Sequence, residues 1–174
     1  GISNNSINVL INKGPSGFEA PRVTRWTSAL LGASDLNSDG YMDLVTSWTT
    51  TYNGTSSLDV SLNDRRRGLL PELSFDTPEA LVDMKIADLN GDGKADVVTA
   101  HGYQTRQVAV YLGNGTGALS PPFLTTFTSP LVKIVVVDFN SDGRKDVFAV
   151  TEESKGYVMF SDTNGTLHPA SSPP

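Results

Sequence analysis

The sequence predicts an all-β fold built from repeated four-stranded antiparallel sheets. Two observations carry this expectation. The nine-residue pattern Asp-x-Asn-x-Asp-Gly-x-x-Asp occurs three times, at steps of 53 and 50 residues. Every copy is flanked by short runs rich in β-branched and aliphatic residues, the composition of buried strands. A self-similar unit of that length is one supersecondary element of a stacked array.

The copies read Asp35-Leu-Asn37-Ser-Asp39-Gly40-Tyr41-Met-Asp43, Asp88-Leu-Asn90-Gly-Asp92-Gly93-Lys94-Ala-Asp96 and Asp138-Phe-Asn140-Ser-Asp142-Gly143-Arg144-Lys-Asp146. The runs before them (29–34, 82–87 and 132–137) and after them (44–46, 97–99 and 147–150) make each pattern the connection of a β-hairpin. A third strand follows at 58–62, 107–112 and 156–160, each leading into a polar, Gly-containing turn. A fourth strand is visible at 73–75 and 123–127. Four short strands per unit is the blade of a β-propeller.

The chain starts in mid-unit. Residues 7–11, the turn through Gly14 and Gly17, and Phe18 read as a third strand, its turn and the start of a fourth, with no nine-residue pattern before them. The expected division of this single repeat domain is a half blade at 1–24 and blades at 25–77, 78–128 and 129–174. Three and a half blades do not close a ring, and propellers need about four or more. The chain is therefore expected to be a fragment, to pair with another chain, or to self-associate. Two copies of three and a half units would total seven.

The loop chemistry points to a metal. Carboxylate and amide oxygens at positions 1, 3 and 5 are hard donors, which suit Ca²⁺. The chain has no Cys, and its two His, His101 and His168, lie outside the loops, so zinc is not expected. Gly at position 6 admits the positive φ of a tight reversal. The carbonyl of position 7 (Tyr41, Lys94, Arg144) can then face the ion. An EF-hand would need a Glu at position 12 and flanking helices. Position 12 here is Thr46, Thr99 and Ala149, and strands replace the helices. Asp43, Asp96 and Asp146 at position 9 are the expected closing ligands. The expectation is three Ca²⁺ sites: Asp35, Asn37, Asp39, Tyr41 and Asp43; Asp88, Asn90, Asp92, Lys94 and Asp96; and Asp138, Asn140, Asp142, Arg144 and Asp146.

Charge agrees with this. The formal net charge is −6, and nine of the 19 acidic residues are loop aspartates, so three Ca²⁺ would bring the protein near neutrality. An acidic chain is a poor nucleic-acid ligand. Arg65-Arg66-Arg67 is a short basic run that reads as a solvated turn. No run reaches the length needed to cross a membrane, so no insertion is expected. No signal peptide is seen, and a start at Gly1 suits a mature or trimmed form. Calcium favours a secreted, extracellular setting, where modest sites fill. Sequons stand at Asn4, Asn53, Asn114 and Asn164. Asn114-Gly and Asn164-Gly are expected to be turns, and glycosylation is possible at any of the four.

Catalysis finds no support. There is no Cys nucleophile, no Gly-x-Ser-x-Gly and no His-Glu-x-x-His, and neither His has a recognisable partner. Recognition is the better prospect. The connections between second and third strands differ from unit to unit while the nine-residue loops stay constant. They carry Trp48 and Tyr52 in the first unit, and His101, Tyr103, Gln104 and Arg106 in the second. Variable loops on a rigid scaffold are a common place for binding. Trp26, before the first full unit, is expected to pack between blades.

The unit resembles the FG-GAP or VCBS-type repeat of integrin alpha-subunit propellers and of many secreted bacterial and fungal proteins. The nine-residue loop is the specific part of the likeness, and Val110-Tyr-Leu-Gly-Asn-Gly-Thr-Gly117 is similar to that family's third-strand signature. The resemblance implies a Ca²⁺-binding propeller in which the loop joins strands 1 and 2 of a blade. Positions 1, 3, 5 and 9 would then be side-chain ligands, and the variable connections would lie on the opposite face. It further implies a non-enzymatic recognition module for a carbohydrate, as in lectin-like relatives, or for a cell-surface protein in adhesion. The alternatives are a non-catalytic part of a larger secreted enzyme, such as a polysaccharide lyase, and a purely structural assembly unit.

Overall fold

The computed structural model describes residues 6–10, 13–19, 22–26, 31–49, 56–66 and 68–170. The described residues contain fourteen strands, one 3₁₀ turn (Gly14–Ser16) and no α-helix, so no helix is long enough to cross a membrane. Strands β1 (Ser6–Val9) and β2 (Arg22–Trp26) pair as a two-stranded sheet. Three four-stranded antiparallel sheets follow, each with its strands in sequential order. The first is β3 (Leu31–Ser34), β4 (Asp43–Thr49), β5 (Ser56–Ser61) and β6 (Leu73–Asp76). The second is β7 (Leu81–Ala87), β8 (Asp96–His101), β9 (Gln107–Tyr111) and β10 (Phe123–Thr126). The third is β11 (Leu131–Val137), β12 (Asp146–Thr151), β13 (Gly156–Ser161) and β14 (Leu167–Pro169).

These are the expected blades, with three adjustments. Strand β14 completes the third sheet, although only two fourth strands stand out in the sequence; it is three residues long and carries a Pro, which suits an edge strand. Strand β2 runs across the expected 24/25 boundary. Phe18, expected to open the fourth strand, precedes β2 and is exposed. Trp26 ends β2 opposite Ser6; the placement of its side chain lies outside what the structure describes.

The second sheet is apolar on both faces because its neighbours cover both. Leu36, Val45, Leu58 and Val60 of the first sheet pack against Leu81, Met84, Val97, Ala109 and Tyr111 of the second. On the other face of the second sheet, Leu89, Val98, Ala100, Val108 and Val110 pack against Leu131, Ile134, Val147, Ala149 and Met159 of the third. Strand β8 is buried along its whole length, as a strand covered on both faces must be. An edge-on ring contact, Phe127 to Tyr157 at 5.4 Å between centroids, closes the outer part of this second seam.

Polar clamps hold the seams in register. Asp83 Oδ2 accepts the Ile134 N–H at 3.0 Å, joining the first strands of the second and third sheets. Tyr111 donates to the Asp76 carbonyl, and His101 Nδ1 lies 3.0 Å from the Glu79 carbonyl. Both therefore grip the connection between the first and second sheets. Leu112 and Leu62 press on Gly165 and Gly117, whose φ angles are 79° and 88°. A Cβ on either glycine would stand within 2.7 Å of a leucine methyl.

Candidate metal centres

All three nine-residue loops connect the first and second strands of a sheet, so they lie at one end of the array. The connections between second and third strands lie at the other end, because the sheets are antiparallel meanders. Each loop is wound by the same hydrogen bonds. The position 1 carboxylate accepts the N–H groups of positions 5 and 6: Asp35 from Asp39 (3.0 Å) and Gly40 (2.8 Å). Asp88 and Asp138 do the same for Asp92 with Gly93 and for Asp142 with Gly143. The Asn at position 3 accepts the position 5 N–H, and the position 5 carboxylate accepts the position 7 N–H, in every loop.

Two consecutive reversals make the winding possible. Position 6 takes positive φ as expected, at Gly40, Gly93 and Gly143. Position 4 does so too, at Ser38, Gly91 and Ser141. Ser stands there in two loops and Gly in one, and Ser has no marked preference for positive φ, so this second reversal was not legible in the sequence.

Position 9 has a role in the fold that ligand counting does not reveal. Asp43, Asp96 and Asp146 are fully buried. One oxygen of each accepts the position 2 N–H, from Leu36, Leu89 or Phe139, at 2.9 Å. The other accepts the N–H that opens the turn after the third strand, from Asn63, Gly113 or Ser161. Each oxygen keeps a further lone pair for a cation. Burial pushes the Asp96 carboxyl up; the Gly113 and Leu89 N–H groups pull it back, while Asp92 and Asp88 push it higher. The three carboxylates of this loop therefore feel one another.

Each position 5 carboxylate also meets a basic side chain. Arg65 Nε lies 2.9 Å from Asp39, Lys94 Nζ lies 3.2 Å from Asp92, and Arg144 pairs with Asp142. Burial opposes the shift at Asp39, yet Arg65 and the Tyr41 N–H hold it below the usual carboxylate range. The Arg144 N–H and side chain do the same for Asp142. Arg65 belongs to the basic run read as a solvated turn, and its reach to the first loop, 26 residues back, could not be seen in the sequence. Among the described residues, no three His, Cys, Asp or Glu side chains are gathered as a metal cage gathers them. The donor set itself fits a hard divalent cation. It offers three carboxylates and one amide oxygen per loop, on a backbone already wound by its own N–H groups.

At the opposite end, the expected ligand-binding residues part company. Tyr103 is 75% exposed and Trp48 47%. Gln104 and Arg106 are exposed beside Tyr103 in the β8–β9 connection. Burial and hydrogen bonding withdraw His101 from any ligand: it has no exposed surface and sits between Thr99 Oγ1 at 2.8 Å and the Glu79 carbonyl. His101 is the last residue of β8, a strand buried along its whole length, and it is held by a carbonyl 22 residues away. The Glu79 carboxylate accepts the Gln104 and Thr105 N–H groups, which folds the Tyr103 loop over the connection. Tyr52 lies outside the described residues.

No curated protein matches the chain. The FG-GAP-like repeat family matches residues 35–99 and 88–149, two overlapping stretches that span three nine-residue loops and more than half the chain. Each stretch starts on the first aspartate of a loop and ends within the strand that follows the next loop, so it covers one step of the structural repeat and the loop that opens the following step. The chain belongs to the FG-GAP-like repeat family, as a β-propeller-like module of repeated sheets.

Proposed function

We propose that this chain is a calcium-stabilised propeller module that serves as a recognition scaffold in an extracellular setting. One observation carries the calcium reading: the same carboxylate and amide oxygens are presented by the same backbone winding in three separate loops. Turn-forming aspartates need not recur at positions 1, 3, 5 and 9 together, whereas a hard cation requires all of them. The ion's role is structural. It would neutralise three carboxylates per loop and fix a hairpin end that abuts the next sheet.

Recognition is assigned to the other end. Tyr103 and Trp48 present aromatic faces at the tips of neighbouring sheets, and Gln104 and Arg106 supply polar groups beside Tyr103. That combination suits a carbohydrate or an exposed segment of a cell-surface protein. Among the described residues the hydroxyl–imidazole contact of Thr99 with His101 is wholly buried, out of reach of a substrate, which favours binding over catalysis. The test is a glycan array and a cell-surface binding assay run with the chain and with Tyr103→Ala. Binding that the variant loses supports the reading. Absence of binding in both assays, or binding untouched by Tyr103→Ala and Trp48→Ala, overturns the assigned face.

A further inference from the structure

Ser161, the last residue of β13, stands between the second and third nine-residue loops and touches both. Its side chain serves the second loop: Oγ donates to the carbonyl of Leu89, position 2, at 2.8 Å. Its backbone serves the third. The N–H donates to Asp146 Oδ1, position 9, at 3.0 Å, and the carbonyl accepts Arg144 Nε, position 7, at 3.2 Å. The bonds to Leu89 and Asp146 are buried, so water does not compete for them.

A second contact runs beside the first. The Arg144 stem lies over Gly91, position 4 of the second loop, where an added Cβ would stand 3.3 Å from Arg144 Cγ. The guanidinium of the same arginine pairs with Asp142, position 5 of its own loop. Asp142, Arg144 and Asp146 are thus tied, directly or through Ser161, to the backbone of the second loop.

The seam between the first and second sheets is built differently. Gly113 holds the place of Ser161, since its N–H likewise serves a position 9 carboxylate, that of Asp96. It has no side chain to offer the first loop. The Leu36 carbonyl is reached instead by the Gly117 N–H at 3.2 Å, in the turn beyond Gly113. That turn takes positive φ at Gly115 and Gly117, so the path from Leu36 to Asp96 is longer and softer.

We infer that Ser161 couples the second and third loops, so that these two bind calcium with positive cooperativity while the first fills on its own. The inference rests on the calcium reading proposed above. With the second loop filled, Asp88 and Asn90 are fixed on either side of Leu89, and with them the carbonyl that Ser161 grips. A fixed Ser161 in turn holds the Asp146 carboxylate and the Arg144 backbone in place. Filling the third loop then orders fewer groups than it would alone. The coupling is reciprocal, so either loop prepares the other. Ser161 acts here as a positioning residue and supplies no ligand.

Calorimetric titration with calcium tests this, in about 0.15 M salt, where exposed charges more than about 8 Å apart are largely screened. Asn at position 5 disables a loop. Asp39→Asn/Asp92→Asn leaves the third, Asp39→Asn/Asp142→Asn leaves the second, and Asp39→Asn leaves both. The overall constant for filling both should exceed the product of the two single-loop constants by about fivefold or more. Ser161→Ala should remove that excess, Ser161→Thr should keep it, and the first and second loops titrated together should show none. Hydrogen exchange supplies a readout free of serine variants. Phe139 is 45% exposed and its N–H is held by Asp146 at 2.9 Å, so its exchange reports on that bond. Calcium should slow it in Asp39→Asn/Asp142→Asn, where only the second loop fills. The coupling is overturned, and the calcium reading left standing, if single-loop chains bind but show no excess together and no slowing at Phe139. An excess untouched by Ser161→Ala, or an equal one between the first and second loops, overturns it as well. A chain that binds calcium at no loop overturns both.

Discussion

Asp96 Oδ1 accepts the backbone N–H of Gly113 at 2.8 Å, across 17 residues of chain, while its other oxygen holds the Leu89 N–H at 2.9 Å. One buried carboxylate thus ties the start of the nine-residue loop to the turn after the third strand. Leu89 in turn lies in the seam with the third sheet, and its carbonyl is held by Ser161. Loop, turn and seam form one mechanical unit. A cation gripping Asp96 would therefore stiffen the contact between sheets as well as the loop itself.

Removing that carboxylate should be costly even in the absence of metal. Asp96→Ala leaves two buried N–H groups without an acceptor, at about 1–3 kcal/mol each. The expected loss is about 2–5 kcal/mol of unfolding free energy, read by urea denaturation in excess chelator. Asp92→Asn keeps an acceptor for the Lys94 backbone N–H, gives up the exposed pairing with Lys94 Nζ, and should cost far less under the same conditions. Equal losses for the two would show that position 9 is only a ligand.

Gly117 should tolerate no side chain. Its φ of 88° is unfavourable for any L-residue, and its Cβ would stand 2.7 Å from Leu62 Cδ2. Gly117→Ala is expected to destabilise by more than about 1 kcal/mol. Adding Leu62→Ala should return part of the steric share, so a double-mutant cycle should show coupling of about 0.5–2 kcal/mol. A cycle with zero coupling would mean that the Leu62–Gly117 contact does not constrain the seam.

His101 should make stability depend on mild acid. Burial holds its pKa below 6.5, since the Glu79 carbonyl and carboxylate only partly offset the loss of solvent. In the folded chain it is neutral where the unfolded chain already binds a proton. Its contribution is therefore present above about pH 6.5 and is lost as the pH falls below that value. Melting temperatures in chelator at pH 7.5 and pH 5.5 should differ for the native chain and differ less for His101→Gln. The same drop in both would remove His101 as its source.

Much of this arrangement was legible before the fold. Positions 1, 3, 5 and 9 stand out because one repeated unit forces the same oxygens into the same places, and the strand runs around them alternate little because both faces are covered. What stayed hidden is what depends on distance in the chain. Arg65 reaches Asp39 only because the turn after β5 folds back over the first loop. The burial of His101 follows from Glu79, 22 residues away, and no local pattern encodes it. Phe139 resembles Leu36 and Leu89 in sequence, yet its exposure follows from which sheets stand beside it.

The account rests on calcium filling three equivalent loops, and calorimetric titration of chelator-treated chain with calcium tests that most directly. It predicts three equivalents bound by the native chain and two by Asp92→Asn, with the melting temperature rising as the loops fill. Absence of binding heat together with a melting curve indifferent to calcium would contradict it.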